Sequence, residues 1–114
     1  VLNSNKAYLE SIILNLLTNS LKFKSENRAL EINITASKIG NITTILFSDN
    51  GIGIDLKRNR NKVFGLYQRF HNHSDSRGLG LYLVKSQVET MGGTIEIESE
   101  ANKGTTFTLT FKNT

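Results

Sequence analysis

The chain has 114 residues, of which 38% are hydrophobic and 21% are charged, and its formal net charge is +4. This length and balance indicate one soluble globular domain with a single hydrophobic core. Cysteine is absent, which excludes disulfides and thiolate metal sites, and no apolar run approaches the roughly 20 residues that span a bilayer.

The charge surplus is confined to one segment. Residues 54–77 contain six basic and two acidic side chains, whereas the rest of the chain carries eight of each. A basic segment of this kind indicates contact with an anionic ligand, although a solvated loop has the same composition. The chain begins at Val1 without a methionine or a signal peptide. We therefore expect a cytoplasmic fragment of a longer protein, whose membrane attachment the sequence leaves open.

The first predicted element is a helix from Ser4 to about Lys24. Apolar residues recur at three- and four-residue spacing and form one face. They are Leu9, Ile12, Ile13, Leu16, Leu17 and Phe23, with Ser20 on the same face. A polar stripe beside that face contains Asn15, Asn19 and Lys22, at i, i+4 and i+7. Its amide oxygens suit a cation and its ammonium group suits a phosphate, and a solvated helix surface is the alternative.

Two strands follow the helix. Residues 30–37 alternate between apolar and polar side chains, which predicts a half-buried strand with one apolar face. Gly40 and Asn41 are typical of a hairpin turn, and residues 42–48 form the second predicted strand.

The second strand ends at a carboxylate that two glycines follow, in the sequence Asp49-Asn50-Gly51-Ile52-Gly53. A carboxylate at the end of a buried strand is costly without a donor, and glycines let the backbone approach a ligand closely. We therefore interpret Asp49 as an acceptor for a hydrogen-bond donor on a small molecule. Because Asn-Gly is also a common hairpin turn, these residues alone leave a simple turn open.

Residues 55–76 form a long polar and basic segment that contains one amphipathic stretch, residues 63–70, predicted as a short helix. A segment of this length with little regular structure is typical of a lid or of a disordered loop. His71, His73 and Asp75 in this segment have the side chains of a metal site, but we interpret them as ordinary polar loop residues.

The last third of the chain contains a helix and two strands. Gly78-Leu79-Gly80 opens the helix, which ends near Met91 before two glycines. A glycine-led helix start exposes backbone N–H groups that favour phosphate. Apolar residues on two sides of this helix predict that it is largely buried. Residues 94–99 and 105–112 are predicted strands, with a turn at Gly104 and inward-facing aromatic residues on the second.

Five motifs therefore occur in order: Asn-x-x-x-Asn-x-x-Lys on a helix, Asp-x-Gly-x-Gly after a strand, a basic lid, Gly-x-Gly before a helix, and Gly-Thr-Thr-Phe before a strand. This series closely resembles the catalytic ATP-binding domain of sensor histidine kinases. That domain shares a superfamily with gyrase B, mismatch-repair ATPases and ninety-kilodalton heat-shock chaperones. The resemblance covers residues 9–111.

The resemblance implies a single domain over residues 1–114 with the Bergerat-type ATP-binding fold. This fold is an α/β two-layer sandwich, in which a mixed and mostly antiparallel sheet packs on three helices. The lid lies at about residues 54–77. The implied cofactors are ATP and Mg²⁺.

The resemblance also implies roles for individual residues around the adenine. Asp49 would accept a hydrogen bond from the adenine amino group, Gly53 would give the ring room, and Gly51 would also belong to the cofactor-binding residues. Thr105, or Thr106 beside it, would help to hold Asp49.

Other residues would contact the phosphates and the metal. Asn19 would supply its amide oxygen to Mg²⁺, with Asn15 in support, and Lys22 would contact phosphate. The remaining implied contacts come from the lid and the second helix: Phe64, Arg69, Phe70, Gly78, Leu79 and Gly80.

Asn15 separates branches of the superfamily. In the hydrolysing relatives this position is a glutamate that acts as a general base, whereas an amide cannot accept a proton, and Glu10 points away from the polar stripe. The resemblance therefore implies transfer of the γ-phosphate to a histidine on a separate dimerisation domain, with Asn15, Lys22 and Arg69 as catalytic residues. A response-regulator receiver domain would be an indirect partner.

Two positions depart from the family pattern. Ser76 stands where a further glycine is usual, and Phe23 where tyrosine is common. Two alternatives on the same fold stay open: an anti-sigma-type serine kinase, and a nucleotide-binding scaffold without catalysis. We expect no nucleic-acid partner, because the basic surplus is confined to the lid and lacks base-stacking spacing, and no direct membrane contact.

Overall fold

The computed structural model describes residues 6–54, Leu56 and residues 79–112. Helix α1 spans Lys6–Lys22 and helix α2 spans Leu79–Thr90. The strands are β1 (Ile32–Ile39), β2 (Ile42–Asp49), β3 (Thr94–Glu100) and β4 (Gly104–Lys112). Every helix and strand predicted within these residues is confirmed. Neither described helix is long and apolar enough to cross a bilayer.

The four strands form one sheet in the order β1-β2-β4-β3. Both β1–β2 and β3–β4 are hairpins, and β4 returns antiparallel beside β2. The α/β class is confirmed. The sheet was predicted to be mixed and mostly antiparallel, and all three pairs of described strands are antiparallel. The third predicted helix, over residues 63–70, lies outside the described residues.

The core lies between the sheet and the two helices, which also pack against each other. Its central side chains are fully buried: Ile12 and Leu16 of α1, Phe47 of β2, Val84 and Val88 of α2, and Phe107 and Leu109 of β4. Burial of one such side chain contributes about 1.5–3 kcal/mol. This packing holds α1 and α2 on one face of the sheet.

Strand β1 is more exposed than its alternating sequence predicts. Seven of its eight residues are exposed, and Ile34 on its apolar face keeps 48% of its surface in solvent. The prediction of a half-buried strand is therefore wrong except at Ile32, which packs against the core. The reason is coverage, because the core cluster contains side chains of β2, β3 and β4 but none of β1.

Helix α2 buries one face only. Leu81, Val84 and Val88 are buried, whereas Tyr82 and Leu83 keep 39% and 43% of their surfaces exposed. The prediction that this helix is largely buried is wrong, because the sheet and α1 cover a single side of it. Its predicted end is confirmed, since α2 stops before Gly92, which has a φ of 78°.

Candidate functional site

Strand β2 ends at Asp49, whose side chain lies on the same face of the sheet as Phe47 because side chains alternate along a strand. Its carboxylate accepts two hydrogen bonds. Oδ2 accepts from the Ser20 hydroxyl at 2.8 Å, and Oδ1 accepts from the Gly51 backbone N–H at 2.9 Å. A carboxylate offers about four acceptor positions. The site therefore contains an oriented, half-buried carboxylate that retains capacity for a donor on a ligand.

Ser20 is a residue of this candidate site that the sequence did not single out. It lies in the buried stripe of α1 and is only 2% exposed. Its hydroxyl joins α1 to the end of β2 across 29 residues of sequence. Because a buried polar group needs a partner, a serine among apolar residues was a usable signal, but the sequence did not identify which group it would meet.

The structure distinguishes Thr105 from Thr106. Thr105 pairs with Asp49 in the β2–β4 register, so it lies on the Asp49 face, and it is buried. Its hydroxyl is 2.9 Å from that of Ser99 on β3. Thr106 lies on the opposite face, where its hydroxyl is 2.6 Å from that of Ser48. Of the two threonines, only Thr105 neighbours the Asp49 side chain.

The loop after β2 docks on the turn between β3 and β4. The Ile54 N–H donates to Ser99 Oγ at 2.7 Å, and the Asn102 N–H donates to the Ile52 carbonyl at 2.6 Å. Gly53 has a φ of 74°, and a Cβ on it would collide with the Glu100 carbonyl. The missing side chain at Gly53 thus lets the loop meet the turn, and its predicted contact with a ligand ring stays a prediction.

Two polar residues outside the predicted site brace this loop. The Asn50 side chain donates to the Ala29 carbonyl at 2.9 Å and accepts from the Glu31 N–H at 2.8 Å. Arg28 donates to the carbonyl of Asn50 at 2.7 Å, of Gly51 at 2.8 Å and of Asn102 at 2.9 Å. Sequence reasoning missed Arg28, since one arginine in a polar connection is indistinguishable from a solvated charge.

The polar stripe of α1 lies beside Ser20. Asn15 Nδ2 donates to the Ser11 carbonyl at 3.0 Å, and Gln87 of α2 donates to the Ser11 hydroxyl at 3.0 Å. Asn19 is half-buried, and within the described part of the chain its amide makes no hydrogen bond. Lys22 is exposed at the end of the helix. The stripe therefore presents an uncommitted amide and a cation next to the helix face that meets Asp49.

Several predicted site residues are not described. Phe64, Arg69, Phe70 and Gly78 lie outside the described residues, as do His71, His73, Asp75 and Ser76. Leu79 and Gly80 form the first turn of α2. Within residues 6–54, 56 and 79–112, no three histidine or acidic side chains form a cluster suited to a metal ion.

The chain is similar to proteins of one family over almost its whole length. Residues 4–114 match the family described as histidine kinase-, DNA gyrase B-, and HSP90-like ATPase. The heme sensor protein HssS of Staphylococcus saprophyticus is 34% identical over 111 residues, which are 97% of this chain and 24% of HssS. The methanogenesis regulatory histidine kinase FilI of Methanothrix harundinacea is 37% identical over 85% of this chain and 11% of FilI.

Solved structures show the same fold. The mycobacterial sensor histidine kinase MprB superposes with a TM-score of 0.77 at 23% identity, over 93% of this chain and 70% of that structure. Full-length ShkA in complex with AMPPNP gives a TM-score of 0.75 at 28% identity, over 94% of this chain and 22% of ShkA. The chain thus spans less than a quarter of HssS, FilI and ShkA.

Proposed function

Because this chain belongs to the histidine kinase-, DNA gyrase B- and HSP90-like ATPase family, we propose that it binds Mg-ATP and donates the γ-phosphate to a histidine on a separate dimerisation domain. The observation that carries the proposal is the Asp49 carboxylate, which Ser20 and Gly51 orient while acceptor capacity remains. The name of FilI supports the histidine kinase branch, and the AMPPNP complex of ShkA supports a nucleotide ligand.

Adenine recognition rests on Asp49, which accepts a hydrogen bond from the exocyclic amino group. Its two protein donors occupy one position on each oxygen and restrict rotation of the carboxylate. Guanine carries a carbonyl oxygen where adenine carries this amino group, so the carboxylate repels guanine. Thr105 supports the same end of the sheet through Ser99.

Phosphate and metal binding rest on the polar stripe of α1. Asn19 supplies an amide oxygen, which fits Mg²⁺ because this ion takes one or two protein ligands besides phosphate oxygens and water. Asn15 supports it and Lys22 binds phosphate. The ion, when bound, neutralises negative charge on the phosphates. The contacts that complete the site on the basis of family resemblance are Gly51, Gly53, Phe64, Arg69, Phe70, Gly78, Leu79 and Gly80.

Phosphate transfer then depends on positioning. A nitrogen of the acceptor imidazole forms a bond to the γ-phosphorus, the bond from that phosphorus to the bridging oxygen breaks, and ADP leaves. Hydrolysis is disfavoured, because the Asn15 amide cannot take a proton from water and Glu10 is an exposed residue 4.0 Å from Lys6. The response-regulator partner and the cytoplasmic location stay predictions.

Calorimetric titration of Asp49→Asn tests the assignment of Asp49. The asparagine keeps an oxygen for the Gly51 N–H, so the fold should persist, but its NH₂ group opposes the adenine amino group. We expect ATP affinity to fall at least about tenfold, near 1.4 kcal/mol, and the preference for ATP over GTP to shrink. Glu98→Gln, on the exposed face of β3, makes the same charge change and should bind ATP like wild type. Normal ATP binding by Asp49→Asn would contradict the assignment.

The transfer step is tested by mixing the chain, labelled ATP and a purified histidine-bearing dimerisation domain. We expect an acid-labile, base-stable phosphoprotein. Acid-stable label would indicate the serine kinase alternative, and ATP binding without any transfer would indicate a scaffold.

A further inference from the structure

Arg28 contacts the loop that carries the adenine-recognising carboxylate. It lies between α1 and β1, and its guanidinium donates to three backbone carbonyls from two loops. Asn50 and Gly51 belong to the loop after β2, and Asn102 belongs to the turn between β3 and β4. Arg28 therefore ties together the two loops that meet beside Asp49.

One of these carbonyls is directly linked to Asp49. The Asn50 carbonyl and the Gly51 N–H belong to the same peptide unit, which is planar and points the two groups in opposite directions when trans. Arg28 Nε donates to this carbonyl at 2.7 Å, and the N–H of the same unit donates to Asp49 Oδ1 at 2.9 Å. Rotation of the peptide would break both bonds.

The same chain of bonds has an electronic consequence. A cation on a peptide carbonyl polarises the unit and strengthens donation by its N–H. We propose that Arg28 is a positioning residue for adenine recognition, which orients the Asp49 carboxylate through the peptide between Asn50 and Gly51. This inference rests on the proposed function, because it assumes that Asp49 accepts a hydrogen bond from the adenine amino group.

The surroundings of Arg28 favour this role over a general surface charge. In the described part of the chain, no carboxylate lies within ion-pair distance of Arg28. All three of its described bonds go to backbone carbonyls, which lie in a geometry that suits a planar fork of donors. The donors of a lysine side chain all lie on one nitrogen, so lysine cannot reproduce the planar fork of an arginine.

Arg28→Ala and Arg28→Lys test the inference in the full chain. Without nucleotide, amide hydrogen exchange of the Gly51 N–H should accelerate about tenfold in both variants, while exchange in the core strands β2 and β4 stays slow. Calorimetry should show ATP binding weakened about threefold to tenfold and a smaller preference for ATP over GTP. Methylguanidinium should partly restore the preference in Arg28→Ala. Lys38→Ala, on the exposed edge strand, is the charge-matched control and should behave like wild type.

The outcomes distinguish a role of Arg28 in orienting Asp49 from a role in stabilising the fold only. If thermal stability falls while Gly51 exchange and the ATP preference stay unchanged, Arg28 only braces the fold and the inference is overturned. If Arg28→Ala does not fold, Arg28→Lys decides by the same readouts. A wild-type chain that binds no ATP overturns the proposed function and this inference together. A wild-type chain that prefers ATP, with variants that prefer it equally, overturns this inference alone.

Discussion

The Asp49 carboxylate receives its two protein hydrogen bonds from different parts of the fold. Ser20 donates from helix α1, and Gly51 donates from the loop that follows β2. Each bond alone would leave the other oxygen without a described protein donor and would restrict rotation of the side chain less. With both, the remaining acceptor positions have a defined direction, which is what recognition of a single amino group requires.

Removal of the Ser20 hydroxyl tests this view at the residue scale. Ser20→Ala leaves Asp49 Oδ2 without its protein donor, so we expect the free energy of unfolding to fall by about 1 kcal/mol and ATP affinity to fall about threefold to tenfold. Urea unfolding and calorimetric titration measure the two effects. Thr18→Ala removes a hydroxyl from the same helix that donates only to the Leu14 carbonyl, and its ATP affinity should match wild type. ATP binding by Ser20→Ala at wild-type strength would argue against the orienting role.

At the scale of elements, the loop from Asn50 to Ile54 is held from both sides. Arg28 and Asn50 bond it to the connection before β1. On the other side, Ser99 bonds it to the end of β3 and Asn102 bonds it to the β3–β4 turn. A loop with this many partners behaves as part of the scaffold. Its glycines are then needed for contact between protein segments as much as for contact with a ligand.

A pair of glycine substitutions separates backbone strain from steric overlap. Gly40 and Gly53 both have positive φ, of 59° and 74°, but a Cβ on Gly40 meets nothing within 4 Å whereas one on Gly53 meets the Glu100 carbonyl. Gly40→Ala should therefore cost about 1–2 kcal/mol in the free energy of unfolding. Gly53→Ala should cost about 1–3 kcal/mol more, because the loop must move away from the turn. If urea unfolding shows that both variants lose the same free energy of unfolding, the loop moves away from the turn without an energetic penalty.

At the scale of the whole molecule, the candidate site lies where distant parts of the chain meet. Helix α1, the end of β2 and the start of β4 contribute Ser20, Asp49 and Thr105, which are 85 residues apart at their extremes. Packing of the helices on one face of the sheet brings them together. Binding of a nucleotide should therefore stabilise the entire fold through linkage.

Thermal unfolding with ATP measures that linkage and the role of Asn19. A ligand at 100 times its Kd stabilises a fold by about 2.7 kcal/mol. We expect Mg²⁺ to raise the unfolding temperature of the ATP-bound chain, and Asn19→Ala to lose this increment because it lacks the amide oxygen. Asn33→Ala, on the outer face of the edge strand β1, should keep the increment. A Mg²⁺ increment that survives in Asn19→Ala would exclude Asn19 as the metal ligand.

Much of the fold was predictable because it depends on local patterns. The spacing of apolar residues identified α1, the turn at Gly40 and Asn41 marked the start of β2, and the inward direction of Phe107 on β4 was predicted correctly. The position of Asp49 at the end of a strand was predictable for the same reason. The exposure of Ile34 and Leu83 was not, because a pattern shows which face of an element is apolar but not whether another element covers it.

The sequence by itself determined the order of the elements, the carboxylate at the end of β2, the amide stripe of α1 and the family that these motifs indicate. These features depend on residues that are close together in the chain. The tertiary structure alone decided that Ser20 donates to Asp49, that Thr105 is its neighbour and Thr106 is not, and that Arg28 bonds to the peptide between Asn50 and Gly51. Those contacts join residues that only packing brings together, so local periodicity carries no information about them.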